Sequence, residues 1–399
     1  VTNGEYFLFC PVPMSHLDTQ LIHDGEPTPR LEGAVVTPIF QSATFTHTDP
    51  DDTVRYARYN NTPNHEVLHA KLAALEGTEA ALVTGSGMAA LSSVLMGLLS
   101  AGDHIVAQPG LYGGTLGMLS DFLPRFGIDH TFLPDGGPEA WTEVLRPETR
   151  VLYAEGIANP RMDVADLEAM VAFADQHALI TVIDNTFASP INVRPAALGF
   201  DVVLHSATKY MAGHSDLTAG TVAGSEALLA NVSAAAKMLG GTLDPHACFL
   251  LHRSLKTLGV RVRQHNANAQ AVAEALDAHD AVDAVRYPGL PSHPNHERAA
   301  RLFDGFGGML SFDLALDADP DAFLDALTLP VVAPSLGGVE TLTSRPIHTS
   351  HQHVAPAVRE DLGITERFIR LSVGIEGADD LIRDLTSALD RCQALTSQT

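Results

Sequence analysis

Between residues 65 and 225 the chain alternates short apolar runs with longer stretches whose apolar positions recur at helical spacing. The first run, AALVT at 80–84, leads through Gly85-Ser86-Gly87 into a helical pattern that reaches about Leu99. Further runs at 104–107, 128–133, 151–155, 180–184, 202–205 and 221–223 read as strands. Asp163 reads as the N-cap of a helix reaching His177, because its short side chain can accept an orphan N–H of a first turn. Strands that are apolar throughout, separated by helices, are buried on both faces. The pattern therefore predicts an α/β fold with a mostly parallel, doubly wound central sheet.

After residue 225 the pattern changes. Residues 226–280 are rich in Ala and Leu and read as helices, one of them long and near 260–278. Runs at 307–313 and 369–373 read as strands of a smaller α+β domain that ends in a helix at 379–395. The Pro- and His-rich segment 287–296 reads as a loop, and no internal repeat is visible. The expected division is an N-terminal arm at 1–62, a large domain at 63–250 and a small C-terminal domain at 251–399.

Composition narrows the partners. With 399 residues, 45% of them apolar, the chain can bury a large core, yet no run approaches the roughly 18 apolar residues of a membrane span. Acidic residues outnumber basic ones 48 to 24, a net charge of −24 that repels nucleic acid and anionic lipid, so neither is expected as a partner. Cys10, Cys248 and Cys392 are widely spaced, which argues against a disulfide framework and for a reducing, cytoplasmic setting. Residues 1–13, with Met14 just after them, read as a leader or alternative-start segment. His293 and His296, like His348, His351 and His353, are close in sequence. They lack Cys or carboxylate companions at ligand spacing, so no metal is expected.

Lysine is scarce. Lys71, Lys237 and Lys256 lie in helical stretches and read as solvated amines. Lys209 differs, because it follows the strand at 202–205 through Ser206-Ala207-Thr208, at the carboxyl end where open α/β sheets place ligands. A lysine there suits a Schiff base to an aldehyde cofactor, provided burial favours its neutral form. Asp184 ends the preceding strand, so parallel neighbours would bring it to the same rim. A carboxylate in that place can keep a pyridine nitrogen protonated. The Gly85-Ser86-Gly87-Met88 turn offers backbone N–H groups and a helix N-terminus to a phosphate, with Ser206 and Thr208 as further donors.

Over about residues 16–395 the chain resembles the Cys/Met-metabolism family of pyridoxal-phosphate (PLP) enzymes, the transsulfuration lyases and synthases of PLP fold type I. The strings that carry the resemblance are Ser206-Ala207-Thr208-Lys209-Tyr210, Val182-Ile183-Asp184-Asn185-Thr186-Phe187, Tyr287-Pro288-Gly289-Leu290-Pro291-Ser292-His293-Pro294 and Ser335-Leu336-Gly337-Gly338-Val339-Glu340. The resemblance implies pyridoxal 5′-phosphate as cofactor, held on Lys209 with Asp184 at the pyridine nitrogen. Gly87, Met88, Ser206 and Thr208 look like phosphate ligands, and Tyr112 resembles the tyrosine stacked on the ring. Tyr56 and Arg58 are similar to a pair that reaches the phosphate of a neighbouring subunit, implying a homo-oligomer, a tetramer built as a dimer of dimers. Arg370 looks like the clamp on the substrate α-carboxylate. Asn159 is similar to an asparagine near the cofactor's phenolic oxygen, and Ser335 completes the substrate-binding set.

The implied activity is γ-elimination from a sulfur amino acid such as cystathionine, homocysteine or methionine. The alternative is γ-replacement, making cystathionine from an activated homoserine and cysteine. Departures from the family pattern bear on this choice. Glu155-Gly156-Ile157-Ala158-Asn159-Pro160 lacks the Ser or Thr that lyases more often carry after the Glu, and Gly114 stands where related methionine γ-lyases have cysteine. Ser344 occupies a position where cystathionine γ-lyases often have glutamate and γ-synthases serine, while Arg345 and Thr349 are unusual. Gly213-His214-Ser215-Asp216 is more lyase- or synthase-like than sulfhydrylase-like.

Overall fold

The structure, a computed structural model, describes residues 16–51, 53–349, 359 and 363–396. The expected leader, Cys10, His351 and His353 lie outside the described residues. Seven strands build the large sheet: β1 (Ala80–Thr84), β2 (His104–Ala107), β3 (Asp129–Phe132), β4 (Thr149–Glu155), β5 (Ile180–Asp184), β6 (Val202–His205) and β7 (Gly220–Gly224). Their spatial order is β1-β7-β6-β5-β4-β2-β3. All neighbouring pairs are parallel except those of β7, which runs antiparallel to both β1 and β6. The reversal has a local cause. Parallel neighbours need a crossover, usually a helix. The segment 206–219 between β6 and β7 contains no helix, only the turns that carry Lys209.

Apolar side chains fill both faces of this sheet. Leu152, Ile183 and Val203 pack on one side, and Val151, Val182 and Val202 on the other. This is what wholly apolar parallel strands require. The helix Gly87–Leu98 starts at the end of β1, where Ser86 Oγ accepts the Ala89 N–H at 3.0 Å. One cap differs from expectation. The helix Leu167–Gln176 is capped by Asp166, whose side chain accepts the Ala169 N–H at 3.2 Å. Asp163 instead pairs with Arg161, and the β-bridge between Ile157 and Val164 keeps the chain extended beyond it.

A second sheet follows, with β8 (Val282–Arg286), β9 (Met309–Leu314), β10 (Val331–Val332), β11 (Leu342–Ser344) and β12 (Phe368–Ser372) in the order β10-β11-β12-β9-β8. The helices Leu258–Asp277 and Ala378–Thr396 bury their apolar sides with it, around Leu310, Phe312, Phe323 and Leu385. The segment 287–295 is a loop, as expected, and a helix His296–Leu302 follows it.

None of the three lysines expected in solvent is fully exposed. Lys71 lies on the inner side of the helix Pro63–Glu76, beside Leu68, Leu72 and Leu75, and is 1% exposed. Its Nζ donates to the Leu21 carbonyl at 3.0 Å and lies 3.8 Å from the Glu26 carboxylate. Glu26 also meets Lys256 at 2.7 Å, His252 at 3.1 Å and Arg30 at 3.8 Å. One buried carboxylate thus gathers four basic side chains and ties the N-terminal segment to the large unit. Lys237 is half-buried, with Nζ 5.7 Å from the Tyr59 ring.

Candidate active site

A cavity of about 1390 Å³ opens at the carboxyl ends of the parallel strands, where it is walled by both sheets. The structure brings to it Gly87, Met88, Tyr112, Asn159, Asp184, Ser206, Thr208, Lys209, Ser335 and Arg370. Tyr56 and Arg58 are not part of this wall. Arg58 is exposed, donates to the Lys237 carbonyl at 3.0 Å and lies 5.1 Å from the Tyr59 ring.

Lys209 sits in a turn closed by its own N–H on the Ser206 carbonyl, and its Nζ donates to Ser335 Oγ at 2.7 Å. Burial, with the Arg370 charge nearby, pulls its ammonium down to about 8. The next residue, Tyr210, bridges the units: Gly308 N–H donates to its hydroxyl at 3.0 Å, and Arg261 donates to its carbonyl at 2.6 Å. Ser335 holds a φ of 106°, a strained value for a residue with a Cβ. Close packing follows two residues on, where a Cβ at Gly337 would lie 2.6 Å from the Tyr210 nitrogen.

Asp184 and Glu155 are register partners at the ends of β5 and β4. Burial raises both carboxyls, but unequally. Asp184 accepts from the Thr186 N–H and hydroxyl and feels His205, all of which favour its anion. Glu155 feels the Asp184 charge and receives only the Tyr112 N–H, at 2.8 Å. Two close carboxyls share charge badly, and of the pair it is Glu155 that is pushed further toward its protonated form. Glu155 and Thr186 were not singled out from the sequence. Their signal was present, because each neighbours a chosen residue in the strings around Asn159 and Asp184.

Arg370, on β12, is 5% exposed and donates to Asn159 Oδ1 and the Ser335 carbonyl, each at 3.2 Å. Burial draws its guanidinium down to about 10, so it stays charged at neutral pH. Among the described residues it has no carboxylate within 4 Å. A buried guanidinium without a carboxylate partner among the described residues, facing a cavity, can receive an incoming carboxylate.

The walls also fit PLP. At the phosphate end, a Cβ on Gly87 would lie 2.7 Å from the Ser206 Cβ, so only glycine lets these backbones meet at the N-terminus of a twelve-residue helix. Thr208 contributes less than its sequence position promised, since its hydroxyl already accepts from the Ala219 N–H and donates to the Ala219 carbonyl. Asp184, held by its Thr186 donors, would be the partner for a protonated pyridine nitrogen, and the Lys209 amine lines the same cavity. Gly114 leaves space that the Tyr112 ring uses, because a Cβ there would lie 2.5 Å from Tyr112 Cε1. Ser344 does not line the cavity; it is buried in β11 in register with Arg370. Arg345 pairs with Asp321 and Glu366, a structural role.

Comparison with known proteins identifies the family. The family model for Cys/Met metabolism PLP-dependent enzymes matches residues 18–390. A cystathionine gamma-lyase of Bacillus subtilis (strain 168) is 40% identical over 375 residues, covering 93% of this chain and 98% of that protein. A cystathionine beta-lyase of Lactococcus lactis subsp. cremoris (strain MG1363) is 38% identical, covering 95% and 100%. A crystal structure of cystathionine gamma synthase from Xanthomonas oryzae pv. oryzae superposes with a TM-score of 0.91 at 35% identity, covering 96% of this chain and 99% of that one. The chain belongs to the Cys/Met-metabolism family of PLP-dependent enzymes, with fold type I architecture and pyridoxal 5′-phosphate as its cofactor.

Proposed function

We propose that this enzyme is a carbon–sulfur lyase that removes the sulfur-bearing group from the γ-carbon of a sulfur amino acid, cystathionine, homocysteine or methionine. The observation that supports an amino-acid substrate is the buried, unpaired Arg370 guanidinium in one cavity with the Lys209 amine. PLP, when bound, supplies an electron sink for charge developing at substrate carbons. Arg370 and Ser335 hold the α-carboxylate, which orients the Cα and Cβ protons toward Lys209. An amine drawn down to about 8 is partly neutral at working pH, so Lys209 can take and return those protons. Asp184 keeps a proton on the pyridine nitrogen. Tyr112 covers the ring, and its hydroxyl serves the departing sulfur as acid or base. Gly87, Met88, Ser206 and Thr208 hold the phosphate, and Asn159 lies near the phenolic oxygen.

Tyr56 and Arg58, which lie off the cavity wall of their own chain, reach the phosphate of a neighbouring subunit in this reading. The protein is then a homo-oligomer, a tetramer built as a dimer of dimers, in the cytoplasm. Similarity to the γ-synthase structure supports γ-replacement as a second reading. Product analysis separates the possibilities. Cysteine, ammonia and 2-oxobutanoate from cystathionine support γ-elimination. Homocysteine and pyruvate instead would mean β-elimination, and cystathionine formed from O-succinylhomoserine and cysteine, without 2-oxo acid, would mean replacement.

A further inference from the structure

Glu155 has a place that substrate and cofactor binding do not explain. It is 5% exposed at the end of β4, beside Asp184, in a wall where a second carboxyl is costly. Its side chain nevertheless reaches across to the chain after β2 and accepts the Tyr112 N–H at 2.8 Å. The same two segments are joined again, because the Glu155 N–H donates to Gln108 Oε1 at 3.1 Å and the Gln108 N–H to the Tyr153 carbonyl at 3.1 Å. Tyr112 itself is 44% exposed, and the helix that follows it, Gly113–Gly117, has only five residues, three of them glycine. Gly114 lies beneath the ring, with Met88 Sδ on the same side, and the backbone that carries the ring is held at its N–H by Glu155.

We propose that Glu155 is a positioning residue for Tyr112, holding its backbone so that the ring stands over the cavity in one place. A protonated carboxyl suits the task, since it accepts an N–H through its carbonyl oxygen without adding a second charge beside Asp184. The inference rests on the reading of Tyr112 as the ring over the cofactor.

The test is a mutant cycle on the holoenzyme, read by visible dichroism of bound PLP, cofactor dissociation, thermal melting, kcat and KM. Glu155→Ala is expected to weaken the dichroism and to lower kcat about 10–100-fold, the scale of a displaced active-site group. KM should change less than about threefold, because Arg370 is untouched. Glu155→Gln, an uncharged acceptor of the same reach, should restore dichroism and kcat to within about threefold of the parent. In a Tyr112→Ala background, adding Glu155→Ala should cost less than about threefold further. Full additivity in that cycle, or equal damage from Ala and Gln, overturns the proposal. A silent Tyr112→Ala overturns instead the reading of Tyr112 beneath it. If Glu155→Ala does not fold, Glu155→Gln decides alone: parent-like dichroism and kcat support a neutral acceptor, and their loss overturns it.

Discussion

Two lysines of this chain are drawn down to about 8, and they do opposite things. Lys71 is sealed under the helix Pro63–Glu76 with the Glu26 carboxylate as its counter-ion. Burial lowers it, Glu26 pulls back, and Lys256 adds repulsion. Lys209 is half-buried at a cavity, where burial and the Arg370 charge both disfavour its ammonium and its side-chain partner is a serine hydroxyl. A depressed lysine is therefore weak evidence of chemistry on its own. What separates the two is a counter-charge on one side and, on the other, an open cavity with the Arg370 cation nearby.

The largest effect should come from Lys209→Ala, which leaves no amine to move substrate protons. The expected loss in kcat is on the order of 10³-fold or more, with melting temperature nearly unchanged. Borohydride reduction of the parent holoenzyme followed by peptide mapping should place the pyridoxyl group on Lys209. A label on Lys71 would erase the distinction.

Glu26→Ala should strike the other centre. It strands Lys71, Lys256, Arg30 and His252 without their shared anion, and breaking a buried ion pair costs about 3–5 kcal/mol. Urea denaturation should show that loss while kcat of the folded enzyme holds. A variant as stable as the parent but catalytically dead would put Glu26 in the wrong region.

Arg370→Ala should raise KM well over tenfold, since losing one partner of a desolvated charged pair costs on the order of 2–5 kcal/mol. Cofactor content should stay near that of the parent. Arg370→Lys should recover only part, because an ammonium cannot reproduce a two-pronged grip. An unchanged KM with a lower melting temperature would make Arg370 a structural residue.

The smallest effect is a pH dependence. Although burial opposes ionisation of Glu26, its hydrogen bonds to His252 and Lys256 hold it down to about 2, below the ordinary 4.5. A carboxyl with a depressed folded value contributes stability that is fully present above its unfolded value and is lost as pH falls through the folded one. The stability gap between the parent and Glu26→Gln should therefore be constant near neutrality and shrink between about pH 4.5 and 2. A gap that persists unchanged at pH 2 would disprove the linkage.

Much of the large unit was legible because its strands are continuous apolar runs with glycine or Asx punctuation. That pattern located β1, β2, β5 and β6 to the residue, and with β6 the turn that carries Lys209. The direction of β7 was not legible, since reversal depends on a missing crossover helix rather than on the strand's own residues. Lys71 misled for a different reason. Its neighbours in sequence are helical, and only the tertiary packing of Leu21 and Glu26 shows which side of that helix faces inward. Asp163 and Asp166 are chemically equal caps, and the bridge at Val164 decides between them. Glu155 stood in view inside a recognised string, but its reach to Tyr112 spans 43 residues and no spacing rule could reveal it.

The cavity has two owners. Lys209, Asp184 and the Gly87 cradle belong to the larger sheet, whereas Ser335 and Arg370 belong to the smaller one. In the proposed reading, holding the cofactor and recognising the substrate's carboxylate fall to different units. A mild perturbant that loosens the smaller unit first would leave a coloured protein, its visible band in place, that no longer responds spectrally to an added amino acid. Colour would then report the first sheet, and responsiveness the docking of the second.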